Sequence, residues 1–267
     1  MRRREWIKMA ASATSTVTGI LPTAAQPAFA KSPPGVGKKA LVGAASDLRF
    51  ALADVIAQFE RETPHRFTLN LGSSGNFVQQ IRQGLPVELY LSADEAYVFA
   101  LADAGLTQDR GSLYAIGRIA FFVPTGSTIP LDAELRGLKT HWDQVTRFAI
   151  ANPAHAPYGR AAAEALQKLG LWESVQGRLV LGENISQATQ FVTTGAAQAG
   201  ITALSLALAP DVAAQGRYVV LPASLHTPLR QRMVLTRQAG PAARALYDHL
   251  RSKPAQKTLQ KYGFAIG

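Results

Sequence analysis

Leu41-Val-Gly-Ala-Ala-Ser46-Asp47-Leu48 and Phe67-Thr-Leu-Asn-Leu-Gly72-Ser73-Ser74-Gly75-Asn76 decide the fold of this chain. Each stretch runs an apolar strand into small and hydroxyl residues, and apolar residues at helical spacing follow: Leu48, Leu52, Val55, Ile56 and Phe59, then Phe77, Val78 and Ile81. The start of a helix carries unpaired backbone N–H groups and the positive end of the helix dipole. Small residues let a ligand reach these donors and the serines add hydroxyls, so both turns predict anion binding.

Strand and helix patterns alternate outward from these two turns. Strands are predicted at 40–45, 67–71 and 87–91, and helices at 47–62, 75–84 and 94–105. This order predicts a parallel sheet with right-handed crossovers and ligands at the carboxyl ends of the strands. The two turns would lie at that edge.

A long β pattern over 114–123 predicts that the chain then crosses into a second lobe. A second α/β set follows, and the β patterns at 218–221 and 232–235 predict the return crossing. We therefore predict an α/β protein of two lobes joined by a β hinge. Lobe I would comprise residues 40–119 and 223–267, and lobe II residues 120–222.

The amino terminus is typical of a cleavable export signal over residues 1–30. A basic head containing Arg3-Arg4-Glu5-Trp6-Ile7-Lys8 precedes a short, mildly apolar stretch and the small-x-small site Ala28-Phe29-Ala30. The head is similar to the twin-arginine pattern, and an ordinary secretory signal with extra arginines is the alternative. A Pro- and Gly-rich linker over 31–39 would then lead to a mature protein in a bacterial periplasm.

The composition excludes several classes of function. The chain has no cysteine, so disulfides, thiolate metal sites and cysteine nucleophiles are absent. Its formal net charge is +10, but the basic residues are scattered without a dense run, which favours a basic soluble surface or the attraction of small anions over nucleic-acid binding. The five histidines lack metal-ligand spacing.

Enzyme motifs are also missing. Gly72-Ser-Ser-Gly75 lacks the lysine of a phosphate-binding P-loop, and no Gly-x-Ser-x-Gly elbow occurs in the sequence. No convincing pair of nucleophile and base stands out, so we predict that the protein is not an enzyme.

Loops of the second lobe also place small and polar residues directly before a helix. They are Ala151-Asn-Pro153 with Ala156-Pro-Tyr-Gly159, and Gly182-Glu-Asn184 before Ile185. With Ala44-Ala-Ser46, Gly72-Ser-Ser-Gly75 and Leu91-Ser-Ala-Asp94, in this order, the chain resembles the periplasmic molybdate/tungstate-binding proteins of ABC importers. The resemblance implies a type II periplasmic-binding-protein fold that closes on an oxyanion, an ABC permease as partner, and neither catalysis nor a cofactor. We expect a monomer.

The resemblance also implies a binding site. By position, Ser46 and Ser74 match the binding serines, Tyr158 matches a tyrosine that some members place in this loop, and Ile185 matches a residue whose backbone N–H binds the ligand. Other members place their binding tyrosine where this chain has Ala203. The oxyanion would be bound through these residues, with no direct ligand to the metal atom.

Asp47 fits this site poorly because a carboxylate repels a dianion. It would suit a ligand that carries a proton, such as hydrogen phosphate. We expect instead that Asp47 lies near the helix dipole with its carboxylate turned away from the cleft. Receptors for sulfate or phosphate, a sensor subunit and a periplasmic enzyme with the same lobes remain alternatives, and His155 could line the cleft.

Overall fold

The structure is a computed structural model that describes residues 39–266. These residues form two separate β-sheets with α-helices packed against them. The predicted export signal and nearly all of the predicted linker lie outside these residues. No helix within 39–266 combines the length and the apolar character that crossing a bilayer requires.

The elements follow one another in alternating order. The strands are β1 Ala40–Ala45, β2 Phe67–Gly72, β3 Leu89–Ser92, β4 Ser112–Gly117, β5 Ile119–Pro124, β6 Phe148–Ala151, β7 Leu179–Gly182, β8 Ala199–Ala203, β9 Gly216–Val220 and β10 Leu229–Leu235. The α-helices are α1 Arg49–Glu62, α2 Ser74–Arg82, α3 Glu95–Asp103, α4 Arg136–Thr140, α5 Pro157–Lys168, α6 Trp172–Gln176, α7 Ile185–Thr193, α8 Leu204–Ala207, α9 Pro210–Ala213, α10 Pro241–Leu250 and α11 Lys253–Lys261. Short 3-10 helices lie at Ser46–Leu48, Trp142–Gln144 and Ala223–Leu225.

The two sheets have the same design. The first has the strand order β2-β1-β3-β10-β4, and the second has the order β7-β6-β8-β5-β9. Parallel strands β1, β2 and β3 adjoin the antiparallel β10 in the first sheet, and parallel β6, β7 and β8 adjoin the antiparallel β5 in the second. The predicted parallel arrangement of the first three strands is confirmed. In addition, a strand that enters each sheet from the other sheet runs antiparallel to its neighbours.

The segment 114–123, predicted as a single strand, is divided into two strands, β4 and β5. It is interrupted at Arg118, where β4 ends its pairing with β10 and β5 begins its pairing with β8 and β9. The Arg118 carbonyl accepts a hydrogen bond from the Leu204 backbone N–H instead of a strand partner. The chain returns to the first sheet between β9 and β10, as the sequence predicts. The exact lobe limits of 119/120 and 222/223 stay predictions.

The burial of helix α1 agrees with the helical spacing of its apolar residues in the sequence. The residues predicted to form its buried face are all buried in the structure: Leu48, Leu52, Val55, Ile56 and Phe59. They pack in one apolar cluster with strand residues such as Val42 and Leu91. Burial of this stripe fixes the helix on the sheet and therefore fixes the start of the helix at the sheet edge.

We expect Leu52→Ala to lower the free energy of unfolding by about 2–5 kcal/mol, because a fully buried leucine leaves a cavity. Leu181→Ala is the matched control: Leu181 is 45% exposed, whereas Leu52 is fully buried. Its effect should stay within roughly 0.5 kcal/mol. Urea denaturation followed by circular dichroism measures both, and equal losses would contradict this packing.

Candidate functional site

Five loops from the two sheets meet around one small cavity. The loops follow β1, β2 and β3 of the first sheet and β6 and β7 of the second, so the carboxyl ends of parallel strands form the walls. The cavity is narrow, because the centre of a water-sized sphere can occupy only about 10 Å³ of it. The lining residues are Ala45, Ser46, Asp47, Gly72, Ser73, Ser74, Ala93, Ala156, Pro157, Tyr158 and Ile185.

All four residues predicted to bind the ligand lie in this lining. Ser46, Ser74, Tyr158 and Ile185 are each at most 3% exposed. Ser74 and Ile185 are the first residues of α2 and α7, where a backbone N–H has no partner within its own helix. The structure therefore brings together hydroxyls and helix N-termini from both sheets.

The two serine hydroxyls are oriented by backbone donors. Ser46 Oγ accepts a hydrogen bond from the Ser186 N–H at 3.1 Å, and Ser74 Oγ accepts one from the Ala93 N–H at 3.0 Å. Among the described residues, neither hydroxyl donates a hydrogen bond to the protein. Because each oxygen is held in the acceptor role, each O–H remains available to donate to an anion.

Hydrogen bonds join the two walls of the cleft directly. The Ser186 hydroxyl donates to the Ser46 carbonyl at 2.8 Å, and the Gly75 N–H donates to the His155 carbonyl at 2.9 Å. Ser73 Oγ lies 2.8 Å from His155 Nδ1. These contacts join loops of opposite sheets, so the structure represents a closed cleft.

The rim of the cleft carries polar side chains that pair across it. Arg160 on α5 forms an ion pair with Asp94, and it also donates to the Tyr97 hydroxyl at 3.1 Å. Asn76 donates to Glu183 on the opposite wall. His155, which we considered as a possible lining residue, faces Ser73 and Glu183 instead of the cavity.

Asp47 is among the residues that line the cavity, and its carboxylate belongs to a buried hydrogen-bond network. Oδ2 accepts hydrogen bonds from the Tyr158 hydroxyl at 2.9 Å and from Gln231 Nε2 at 2.7 Å. Oδ1 is buried and has no hydrogen-bond partner among the described residues. The hydrogen bond to Oδ2 uses the Tyr158 hydroxyl proton.

Burial raises the pKa of Asp47 from 3.8 to about 7, against the opposing effect of the hydrogen bonds from Gln231 and Tyr158. Burial, followed by the negative charge of Asp47, also raises the pKa of Tyr158 well above its usual range. Since the folded protein holds the Asp47 proton more tightly than the unfolded chain, this residue lowers stability as the pH rises from about 4 to about 7.

Sequence reasoning missed Gln231 and the glycine that makes room for it. Gln231 is fully buried on β10 and bonds both Asp47 and the Tyr158 hydroxyl. A Cβ at Gly117 would lie 2.3 Å from the Tyr158 hydroxyl and 2.6 Å from Gln231 Nε2. The available signal was a polar residue on the buried face of a strand, between Leu229 and Met233.

Within residues 39–266, no group of three or more His, Cys, Asp or Glu side chains is arranged to hold a metal ion. The cavity offers hydroxyls, helix N-termini and one carboxylic acid. Such a donor set suits an anion bound through its oxygen atoms.

Two α/β sheets whose strand ends enclose a polar cavity define the class of bacterial solute-binding proteins. The chain belongs to the bacterial extracellular solute-binding protein family, whose profile matches residues 40–265. The family resemblance and the type II fold predicted from the loops are confirmed.

Relatives of this chain within the class include molybdate-binding proteins. The chain is 33% identical over 243 residues to the molybdate-binding protein ModA of Azotobacter vinelandii, covering 87% of this chain and 95% of that protein. It is 33% identical over 236 residues to the ModA protein of Rhodobacter capsulatus, covering 86% and 90%. The solved periplasmic molybdate-binding protein of Azotobacter vinelandii matches with a TM-score of 0.79 at 26% identity, over 86% of this chain and all of that one.

Proposed function

We propose that this protein captures molybdate or tungstate in the periplasm and delivers it to an ABC permease, without catalysis and without a cofactor. One observation carries the proposal: Ser46 and Ser74 line the cavity where both sheets meet, and among the described residues neither of their buried hydroxyls donates a hydrogen bond. The ModA names of its relatives support the choice of oxyanion. The export signal over 1–30 would bring the chain to the periplasm.

The proposed site binds the oxyanion through Ser46, Ser74 and the backbone N–H of Ile185, with Tyr158 completing the wall. Molybdate is a dianion at neutral pH, so a favourable site supplies donors. Hydrogen bonds to a buried charged group contribute about 1.5–3 kcal/mol each. The wall-to-wall bonds of the closed cleft indicate the mechanism: the ligand binds to one lobe, and closure adds the donors of the other.

Titration calorimetry of the mature protein with molybdate, tungstate, sulfate and phosphate tests this function. We expect a dissociation constant of about 1 μM or lower for the first two anions and no measurable heat for the other two. The reason is that donors spaced for the larger molybdate and tungstate ions would reach the smaller sulfate and phosphate ions poorly. Tight binding of sulfate or phosphate, with molybdate silent, would replace the proposal by a receptor for that anion.

A further inference from the structure

The carboxyl group of Asp47 is the feature of the cavity that a dianion receptor does not explain. It is 1% exposed and lines the same cavity as Ser46 and Ser74. Its Oδ2 is used by Tyr158 and Gln231, while Oδ1 has no partner within the described part of the chain. An unpartnered, buried oxygen atom on a residue that lines a cavity is costly unless a ligand or a proton satisfies it.

We propose that Asp47 is protonated on Oδ1 when the site is occupied and that this O–H donates a hydrogen bond to the bound oxyanion. The inference rests on the proposed function and deepens it, because it makes Asp47 a determinant of anion binding and couples capture of the dianion to uptake of one proton from solvent. The step is a proton transfer as the cleft closes: an O–H bond of hydronium or a bond to the proton of a buffer acid breaks, the Asp47 Oδ1–H bond forms, and water or the buffer base is released.

The neighbours of Asp47 leave it no other way to neutralise its charge. Tyr158 on α5 and Tyr114 on β4 are the titratable groups that act on it, and burial raises the pKa of both well above the usual range, so both stay neutral. In α7 and α8, which pack on the 3-10 helix of Asp47, there is no charged residue.

The arginines on the adjacent elements are exposed or form ion pairs with other carboxylates. Arg49 at the start of α1 is exposed, Arg160 pairs with Asp94, and both arginines of β10 pair with Glu95. An ionised Asp47 would therefore face a dianion with no compensating cation. A dianion in the cavity stabilises the protonated acid further, since a like charge disfavours the carboxylate.

The test measures protons as well as heat. Calorimetry with molybdate in buffers of different ionisation enthalpy, at about pH 8, should give uptake of close to one proton per anion. Above about pH 7 the affinity should fall about tenfold for each pH unit, because the free protein must then bind a proton to accept the ligand. Molybdate itself does not titrate in this range, so the proton belongs to the protein.

Asp47→Asn is the decisive variant. Its amide oxygen can accept from Tyr158 and Gln231, and its NH₂ group replaces the Oδ1–H donor. It should bind molybdate with a pH-independent affinity within a few-fold of the wild-type value at about pH 6, with proton uptake abolished. Asp54→Asn is the matched control: Asp54 accepts a hydrogen bond from the Tyr262 hydroxyl at 2.7 Å and is exposed. It should keep the full proton uptake.

The outcomes separate the inference from the function. Wild-type binding of molybdate without proton uptake and without pH dependence would overturn the role of Asp47 and leave the proposed function standing. Tight binding of hydrogen phosphate, lost in Asp47→Asn, with molybdate silent, would overturn both, because an ionised Asp47 would then accept the proton of the ligand. A thermal melt of each variant verifies folding.

Discussion

The variant lacking both the Ser46 and Ser74 hydroxyls is expected to bind molybdate far more weakly than the wild type. Each hydroxyl is buried, is held by a backbone N–H and has its own proton free for the ligand. Loss of one hydrogen bond to a buried anion costs about 1–3 kcal/mol, which is roughly 5- to 150-fold in the dissociation constant. The double Ser→Ala variant should combine the two losses.

Calorimetry of the single and double variants measures this effect. Ser252→Ala is the control, because Ser252 caps the start of α11 with its side chain and does not line the cavity. It should reduce stability by about 1 kcal/mol and leave the affinity unchanged. An unchanged affinity in the double variant would mean that the anion binds at another place.

Gly75→Ala should weaken binding with little change in stability. Gly75 lies in the first turn of α2, and a Cβ there would be 2.8 Å from the His155 carbonyl oxygen and 3.0 Å from His155 Cα on the opposite wall. The helix itself tolerates alanine better than glycine. The methyl group therefore penalises closure, by about 1–3 kcal/mol or roughly 5- to 150-fold in affinity.

The matched control for this variant is Gly177→Ala. Gly177 also has a negative φ, at the end of α6, and a Cβ there meets nothing within 4 Å. Fluorescence or calorimetric titration with molybdate compares the two proteins, and thermal melts compare their stability. If Gly75→Ala bound as tightly as Gly177→Ala, closure of the cleft through the Gly75–His155 contact would not be part of the mechanism.

The elements around the anion-binding turns could be predicted because local patterns specify them. The apolar stripe of α1 follows from its helical periodicity, and the strands 40–45 and 148–151 follow from their short apolar runs. Asp94 caps the start of α3, where its side chain accepts a hydrogen bond from the Ala96 N–H. The break at Arg118 could not be predicted, because residues on both sides are equally suited to strands and only pairing in two different sheets separates them.

Part of the candidate site could also be predicted from the sequence, and part of it could not. The positions of Ser46, Ser74, Tyr158 and Ile185 followed from strand-to-helix turns and from family resemblance, and the structure gathers them in one cavity. The Asp47–Tyr158–Gln231 network could not be foreseen, because Gln231 is 184 residues away from Asp47 in the sequence and reaches it only through the pairing of β10. Long-range side-chain networks of this kind depend on tertiary register, which one sequence does not display.

A crystal structure of the mature protein grown with tungstate tests the central claim most directly, since tungsten can be located by its anomalous scattering. The account predicts one strong peak in the cavity between the two sheets, with oxyanion oxygens within hydrogen-bond distance of Ser46 Oγ and Ser74 Oγ. A peak bound outside this cavity, or an empty cavity in a protein that calorimetry shows to be saturated, would contradict it.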